Sequence, residues 1–365
     1  PVSRSAPSAL RTTAASDTVA GEMRSAIRDA LTGGSDRFRI QSRIQETQHV
    51  LAISVGGQNG AFSSGFLTGW SKTKTRPDFD IVTGASAGAL VAPVAFAGTE
   101  FDEDLARNVG IGESDVFRRR FVLGALFSSS FFDTGPLFDQ VRKLYNRAPF
   151  LEALTDRSEN GGLLLVGATD LQAGRFQRFD FGRLLQEEPE MGPRVACLTE
   201  ATLASAAIPG LFPPRVINDR LYADAGVRQS IFLDQIVAEL DATEGQRGPV
   251  KVYLLINSVL SFETREVEPS LLPLVARNLE IFVDEGMRAS ILRVLNEAKF
   301  RGWTLQAAAI PAMPDCREQD GGQSLIFSKC VTEALFDSGV ALATSKDPWM
   351  SAKRLRNKLE EGRVR

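Results

Sequence analysis

One histidine, His49, occurs in the 365 residues. It precedes Ser86, the serine at the centre of the chain's Gly-x-Ser-x-Gly, so the order Ser…Asp…His of an α/β-hydrolase triad is excluded. With three cysteines and one histidine, no His/Cys/carboxylate cluster has metal-ligand spacing, and neither a metal nor a cofactor is expected. Three cysteines are also too few for a disulfide framework. One bridge, Cys316–Cys330, is open to an oxidising compartment and leaves Cys197 free. No apolar run approaches the roughly 20 residues that cross a bilayer as a helix. A net charge of −3 provides no basic excess for nucleic acid. Tyrosine is scarce, 3 against 23 phenylalanines, which fits either a greasy interior or pocket or a compositional bias of the lineage.

What is present is globular: 43% hydrophobic and 24% charged, long enough for one large α/β domain or two ordinary ones. The start, "PVSRSAPSALRTTAASDTVAGE", is rich in Ala, Ser and Thr and reads as flexible, so residues 1–36 are expected to be a tether and 37–365 one domain. Such a tether often follows a removed secretory signal or lipid anchor, and an exported origin is expected on that ground. Amphipathic helices are expected over 20–48. "HVLAISV" (49–55) and "DFDIVT" (78–83) read as buried strands, each followed by a glycine turn and a helix. Two strand–turn–helix units in succession indicate a parallel sheet. Further along, 163–181 reads as two strands about a turn at Gln172–Gly174, 199–214 as a helix stopped at Pro209, and 220–227 as a strand end and turn. A strand is expected over 250–259, a long helix over 271–300, a last strand at "WTLQAAAIP", and a C-terminal helical decoration.

The Gly-x-Ser-x-Gly of "DIVTGASAGALVAP" sits between a strand and an Ala-rich helix. Gly84 and Gly88 permit a tight turn that lifts Ser86 above the sheet edge, and the following helix favours negative charge there. The alternative is an ordinary glycine-rich turn with a capping serine. A second glycine loop, "SVGGQNGAF", ends the preceding strand. It is either a nucleotide loop, with Asp78 or Asp80 as ribose ligand, or an oxyanion hole built from the N–H groups of Gly56 and Gly57. Asp78 and Asp80 lie on the strand that delivers Ser86, which favours acyl transfer. His49 lies at the opposite end of its strand, six or seven residues and about 20 Å from that edge. The remaining candidate base is Asp224 in "LYADAGV", at a strand end followed by small residues. Its alternative role is an Asx turn.

"LAISVGGQNGAF", "GASAG", "ASAAIPGLFPP" and "LYADAGV", in this order, resemble a patatin-like phospholipase. The resemblance spans about 50–310 and includes "TGPLF", "LLLVGATDLQAGRFQRFDFG" and "VYLLINSVL", as in bacterial members that are often exported or lipoprotein-like. It implies a three-layer α/β/α fold with a central, mainly parallel sheet. It also implies a lipid acyl hydrolase of phospholipase A or carboxylesterase type, acting on phospholipids or other acyl lipids. Residue by residue, Ser86 becomes the nucleophile, Asp224 the base of a Ser–Asp dyad, and Gly56, Gly57 and Gly60 the oxyanion loop. The alternative is a member that binds lipid or a partner and turns over poorly.

Three positions depart from the family pattern. Val55 replaces a glycine, Asn59 stands where many members carry Arg or Lys, and Ala225 replaces the first glycine after the acid. If position 225 needs a positive φ, alanine there costs about 1 kcal/mol. Lastly, "RRRFVLGALFSSSFF" (118–132) is basic and then apolar. It reads either as a lid or peripheral membrane contact, or as a core helix with a charged entry turn. The localisation expected is exported: periplasmic, or membrane-associated in the manner of a lipoprotein.

Overall fold

Five of the strands expected from the sequence form the parallel centre of one sheet. These are β1 (Gln48–Ile53), β2 (Ile81–Ala85), β5 (Leu163–Asp170), β9 (Val250–Ile256) and β10 (Thr304–Ala309), hydrogen-bonded in the order β10-β9-β1-β2-β5. The computed structural model describes residues 46–107, 118–119, 132–233, 236, 240, 248–262, 264, 266–316 and 327–362. The expected tether (1–36), and the helices expected over 20–48 as far as residue 45, lie outside the described residues. Antiparallel strands complete the sheet: β6 (Arg175–Asp180) and β8 (Arg220–Ala223) on β5, β7 (Arg215–Ile217) on β8, and β11 (Met350–Ser351) on β10.

Both faces of the sheet are covered, which is why its central strands are largely apolar. Successive side chains alternate between two cores. Leu51, Ile53 and Val82 enter one core, with Phe62 and Phe66 of α1 (Gly60–Lys72) and Val91 and Phe96 of α2 (Ala87–Ala97). Val50, Ala52 and Ile81 enter the other, with Ile291 and Leu295 of α8 (Leu271–Phe300) and Leu355 of α10 (Ala352–Glu361). The first layer also contains α3 (Asp102–Arg107), α4 (Gly135–Tyr145), α5 (Ala148–Glu159), α6 (Phe181–Glu187), α7 (Met191–Ser205) and α9 (Lys329–Ala343). The result is the expected three-layer α/β/α arrangement.

Several details differ from the sequence reading. The helix expected at 199–214 begins at Met191 and ends at Ser205, because the chain leaves it before Pro209 for the turn Ile208–Phe212. The stretch 118–132 does not begin or end as a helix: Arg118–Arg119 (β3) and Phe132–Asp133 (β4) pair antiparallel, and residues 120–131 lie outside the described residues. Helix α9 was not anticipated. It packs closely on the Gly65/Gly69 face of α1, and the Cys316–Cys330 disulfide, Cα–Cα 6.0 Å, ties its first turn to the segment after β10.

Candidate active site

Ser86 and Asp224 are brought together by a strand arrangement that no local motif encodes. On β5, Gly167 pairs with both Ala85 of β2 and Arg178 of β6, whereas Thr169 pairs with both Ala223 of β8 and Phe176 of β6. A strand has two edges, so β2 and β8 share the one opposite β6. β2 is parallel to β5 and β8 antiparallel, so the two approach head-on and end on either side of Ala168. Ser86 and Asp224 are the next residues of each.

At Ser86 the chain leaves the sheet abruptly. The residue has φ 53° and ψ −117°, a conformation that costs a non-glycine residue on the order of 1–3 kcal/mol. Its N–H donates to Ser205 Oγ at 2.9 Å. Its side chain makes no capping hydrogen bond to α2, so it is not a capping serine. Gly88 is required because the helix crosses β1 closely: a Cβ there would stand 2.4 Å from the Ile53 carbonyl oxygen.

Asp224 is held on three sides. Its N–H donates to the Ala207 carbonyl at 2.9 Å, its own carbonyl accepts from Thr169 Oγ1 at 2.9 Å, and its Oδ1 accepts from Gly226 N–H at 2.7 Å. The last contact is the Asx-type turn, and it occupies only one carboxylate oxygen. Oδ2 is buried without a hydrogen-bond partner. Burial pushes the carboxyl up to about 6, although the Ser86 hydroxyl and the Gly226 N–H pull in the opposite direction. The Ser86 hydroxyl is therefore near enough to act on Asp224, at a separation or angle outside a formed hydrogen bond. Ala225 is not among the residues of positive φ, so its replacement of glycine carries no backbone strain; its side chain is fully buried.

The glycine loop between β1 and α1 forms a single 3-10 turn, Gly57–Asn59. Gly57 has φ +55°, the region that favours glycine. Gly56 is extended at φ 172°, but a Cβ there would lie 2.4 Å from Asn257 Cβ. Among the described residues no acceptor takes the Gly56 or Gly57 N–H. Gly60, the third glycine of the loop, ends the 3-10 turn and directs its N–H back to the Gly57 and Gln58 carbonyls. Asn59 turns its amide to the Asn257 carbonyl at 3.3 Å.

Sequence reasoning missed the residues that hold these parts in place. Asn257, just beyond β9 and buried, donates from Nδ2 to the Ser54 carbonyl at 3.0 Å and from its N–H to Ser54 Oγ at 2.9 Å. Its Oδ1 accepts from Ser63 Oγ and from Ser63 N–H. It thus joins the strand end, the glycine loop and α1. Gln58 Oε1 accepts from Ser328 N–H at 2.8 Å, coupling the loop to the start of α9. A polar residue directly after the apolar run "VYLLI" was the available signal for Asn257; for Ser328 there was none.

A cavity of about 450 Å³ opens beside Ser86 and Gly57. Leu90, Val91, Leu137, Val141, Leu144 and Phe212 form much of its wall. The residues proposed for a nucleotide are elsewhere. Asp80 accepts the His49 N–H at 2.8 Å and Asp78 pairs with Arg157 at 3.4 Å, both at the start of β2 rather than its end. His49 is there too, its Nδ1 3.2 Å from the Tyr253 hydroxyl, about 20 Å of strand from Ser86.

Residues 51–237 match the family described as patatin-like phospholipase. The chain belongs to that family. The patatin-like match includes the second half of β1, both glycine loops, α7 and Asp224. Among solved structures the chain is similar to VipD from Legionella pneumophila, at 12% identity and TM-score 0.39, covering 88% of this chain and 75% of that one. It is also similar to human GIVD cytosolic phospholipase A2 in complex with methyl gamma-linolenyl fluorophosphonate, at 12% identity and TM-score 0.33, covering 97% of this chain and 65% of that one. The chain therefore spans less than two thirds of the human protein.

Proposed function

We propose that this protein is a serine acyl hydrolase of lipid esters that works through a Ser86–Asp224 dyad. The observation that carries the reading is the buried Asp224 Oδ2, without a hydrogen-bond partner beside a strained serine that lines an apolar cavity. Ser86 Oγ attacks the ester carbonyl carbon while its proton passes to Asp224. The carbonyl oxygen becomes an oxyanion, received by the Gly56 and Gly57 N–H groups and the N-terminal end of α2. Collapse breaks the ester C–O bond, and Asp224 returns the proton to the departing alcohol. Water then attacks the acyl-serine, its proton passing through Asp224 back to Ser86 Oγ as the carboxylic acid leaves. An apolar wall fits an acyl chain, and phospholipids or other acyl lipids are the substrates proposed. The Cys316–Cys330 disulfide supports an exported setting.

Hydrolysis of a short-chain phospholipid tests the reading. Wild-type protein releases fatty acid, and folded Ser86→Ala and Asp224→Asn proteins do not. Turnover that survives either substitution contradicts it.

A further inference from the structure

The cavity beside Ser86 is apolar along most of its wall but carries four charged residues: Asp104 and Arg107 of α3, Lys143 of α4, and Arg147. Three cations face one carboxylate in a chain whose net charge is −3. Asp104 is buried, and its Oδ1 accepts from Arg107 Nη1 at 2.6 Å and from Arg147 Nη1 at 2.5 Å. One carboxylate oxygen thus gathers two guanidinium groups. Glu103, 3.5 Å from Arg107, is almost wholly in solvent and is not part of the cavity wall. Lys143 is exposed and has no ion-pair partner among the described residues. The glycine loop adds no charge, since Asn59 is turned to Asn257.

We infer that Arg107, Lys143 and Arg147 form a subsite for a phosphate or carboxylate group carried by an amphiphile whose apolar part fills the same cavity. This rests on the cavity being the substrate site proposed above. Asp104 and the solvent-exposed Glu103 offset two of the three positive charges, which leaves Lys143 and the guanidinium N–H groups they do not take for a ligand. A guanidinium fork matches the paired oxygens of phosphate or carboxylate, and Lys143 adds a mobile point charge. The cations line a concavity that also holds Ser86, so the anion they suit belongs to the molecule being bound rather than to a flat membrane surface.

Calorimetric titration of the full chain carrying Ser86→Ala, which binds without turnover, tests this. The probes are octyl phosphate, 1-octanol and inorganic phosphate at one ionic strength. Octyl phosphate binds at least about tenfold tighter than either of the others. Lys143→Gln and Arg107→Gln each reduce that preference severalfold, Lys143→Glu abolishes it, and octanol binding is unchanged. Equal binding of octyl phosphate and octanol, no binding of either, or an octyl phosphate affinity indifferent to all three substitutions overturns the inference. Inorganic phosphate binding as tightly as octyl phosphate also overturns it, because the site then reads a free ion. Turnover of 4-nitrophenyl butyrate by wild-type protein, an ester without an anion, reports the hydrolase reading separately.

Discussion

The N–H of Ser86 donates to Ser205 Oγ at 2.9 Å, and two residues on, the Ala207 carbonyl accepts the N–H of Asp224 at 2.9 Å. The last residue of α7 and the turn just after it therefore hold both members of the proposed dyad by their backbones. Ser205→Ala leaves the buried Ser86 N–H without its acceptor, at a cost of about 1–3 kcal/mol in stability. It also loosens the elbow, so kcat falls by about tenfold or more while KM changes little. Steady-state kinetics alongside thermal unfolding checks both; a Ser205→Ala protein with unaltered kcat removes Ser205 from the positioning of Ser86.

Asp224 must be ionised to accept the Ser86 proton. With its carboxyl raised to about 6 by burial, kcat/KM falls about tenfold per pH unit below that value. A pH–rate profile on a soluble ester gives the midpoint. An acid limb near 4 would mean that Asp224 is solvated in the working enzyme.

The same shift bears on stability with a definite sign. The folded state binds this proton more tightly than the unfolded chain, about 6 against 3.8, so Asp224 makes the protein less stable as pH rises between those values. Above pH 6 the full cost is carried, on the order of 2–3 kcal/mol. Asp224→Asn removes the charge and raises Tm at pH 8, with a smaller gain or none at pH 4. Differential scanning calorimetry at the two pH values decides it.

Ser86 occupies a backbone region that suits glycine, with φ 53°. Ser86→Gly is thus more stable than Ser86→Ala by about 1 kcal/mol, although both are inactive. Denaturant titration of the two variants measures the strain directly; Ala equal to Gly would place no strain at the elbow.

His49 stands at the far end of β1, half-buried, its ring beside Tyr253. Burial lowers its pKa, chiefly by desolvation. His49→Gln leaves kcat/KM within a few-fold, whereas loss of a general base costs about 10²–10⁴. A folded His49→Gln protein without turnover would contradict the assigned strand order as well as the dyad.

Much of this site is written locally. Ser86, Asp224 and the Gly56–Gly57 pair sit in short turns after apolar strands, and turn chemistry is a near-neighbour property. The parallel centre was legible for the same reason, because strands buried on both faces become continuous apolar runs. What joins the parts is not local. The head-on meeting of β2 and β8 depends on both finding the same edge of β5, and a four-residue strand such as Arg220–Ala223 gives no sign of its partner. Asn257 and Ser328 act on the glycine loop from 198 and 270 residues away. The concern over Ala225 arose from a family pattern, and only its φ removes it.

The central claim is tested most directly by the labelling rate of Ser86 with a fluorophosphonate, followed by intact-protein mass and peptide mapping. The account predicts one adduct, on Ser86, with a rate that rises through about pH 6 to a plateau and falls by about 10² or more in Asp224→Asn. Labelling at another residue, or at Ser86 with an undiminished rate in folded Asp224→Asn protein, would contradict it.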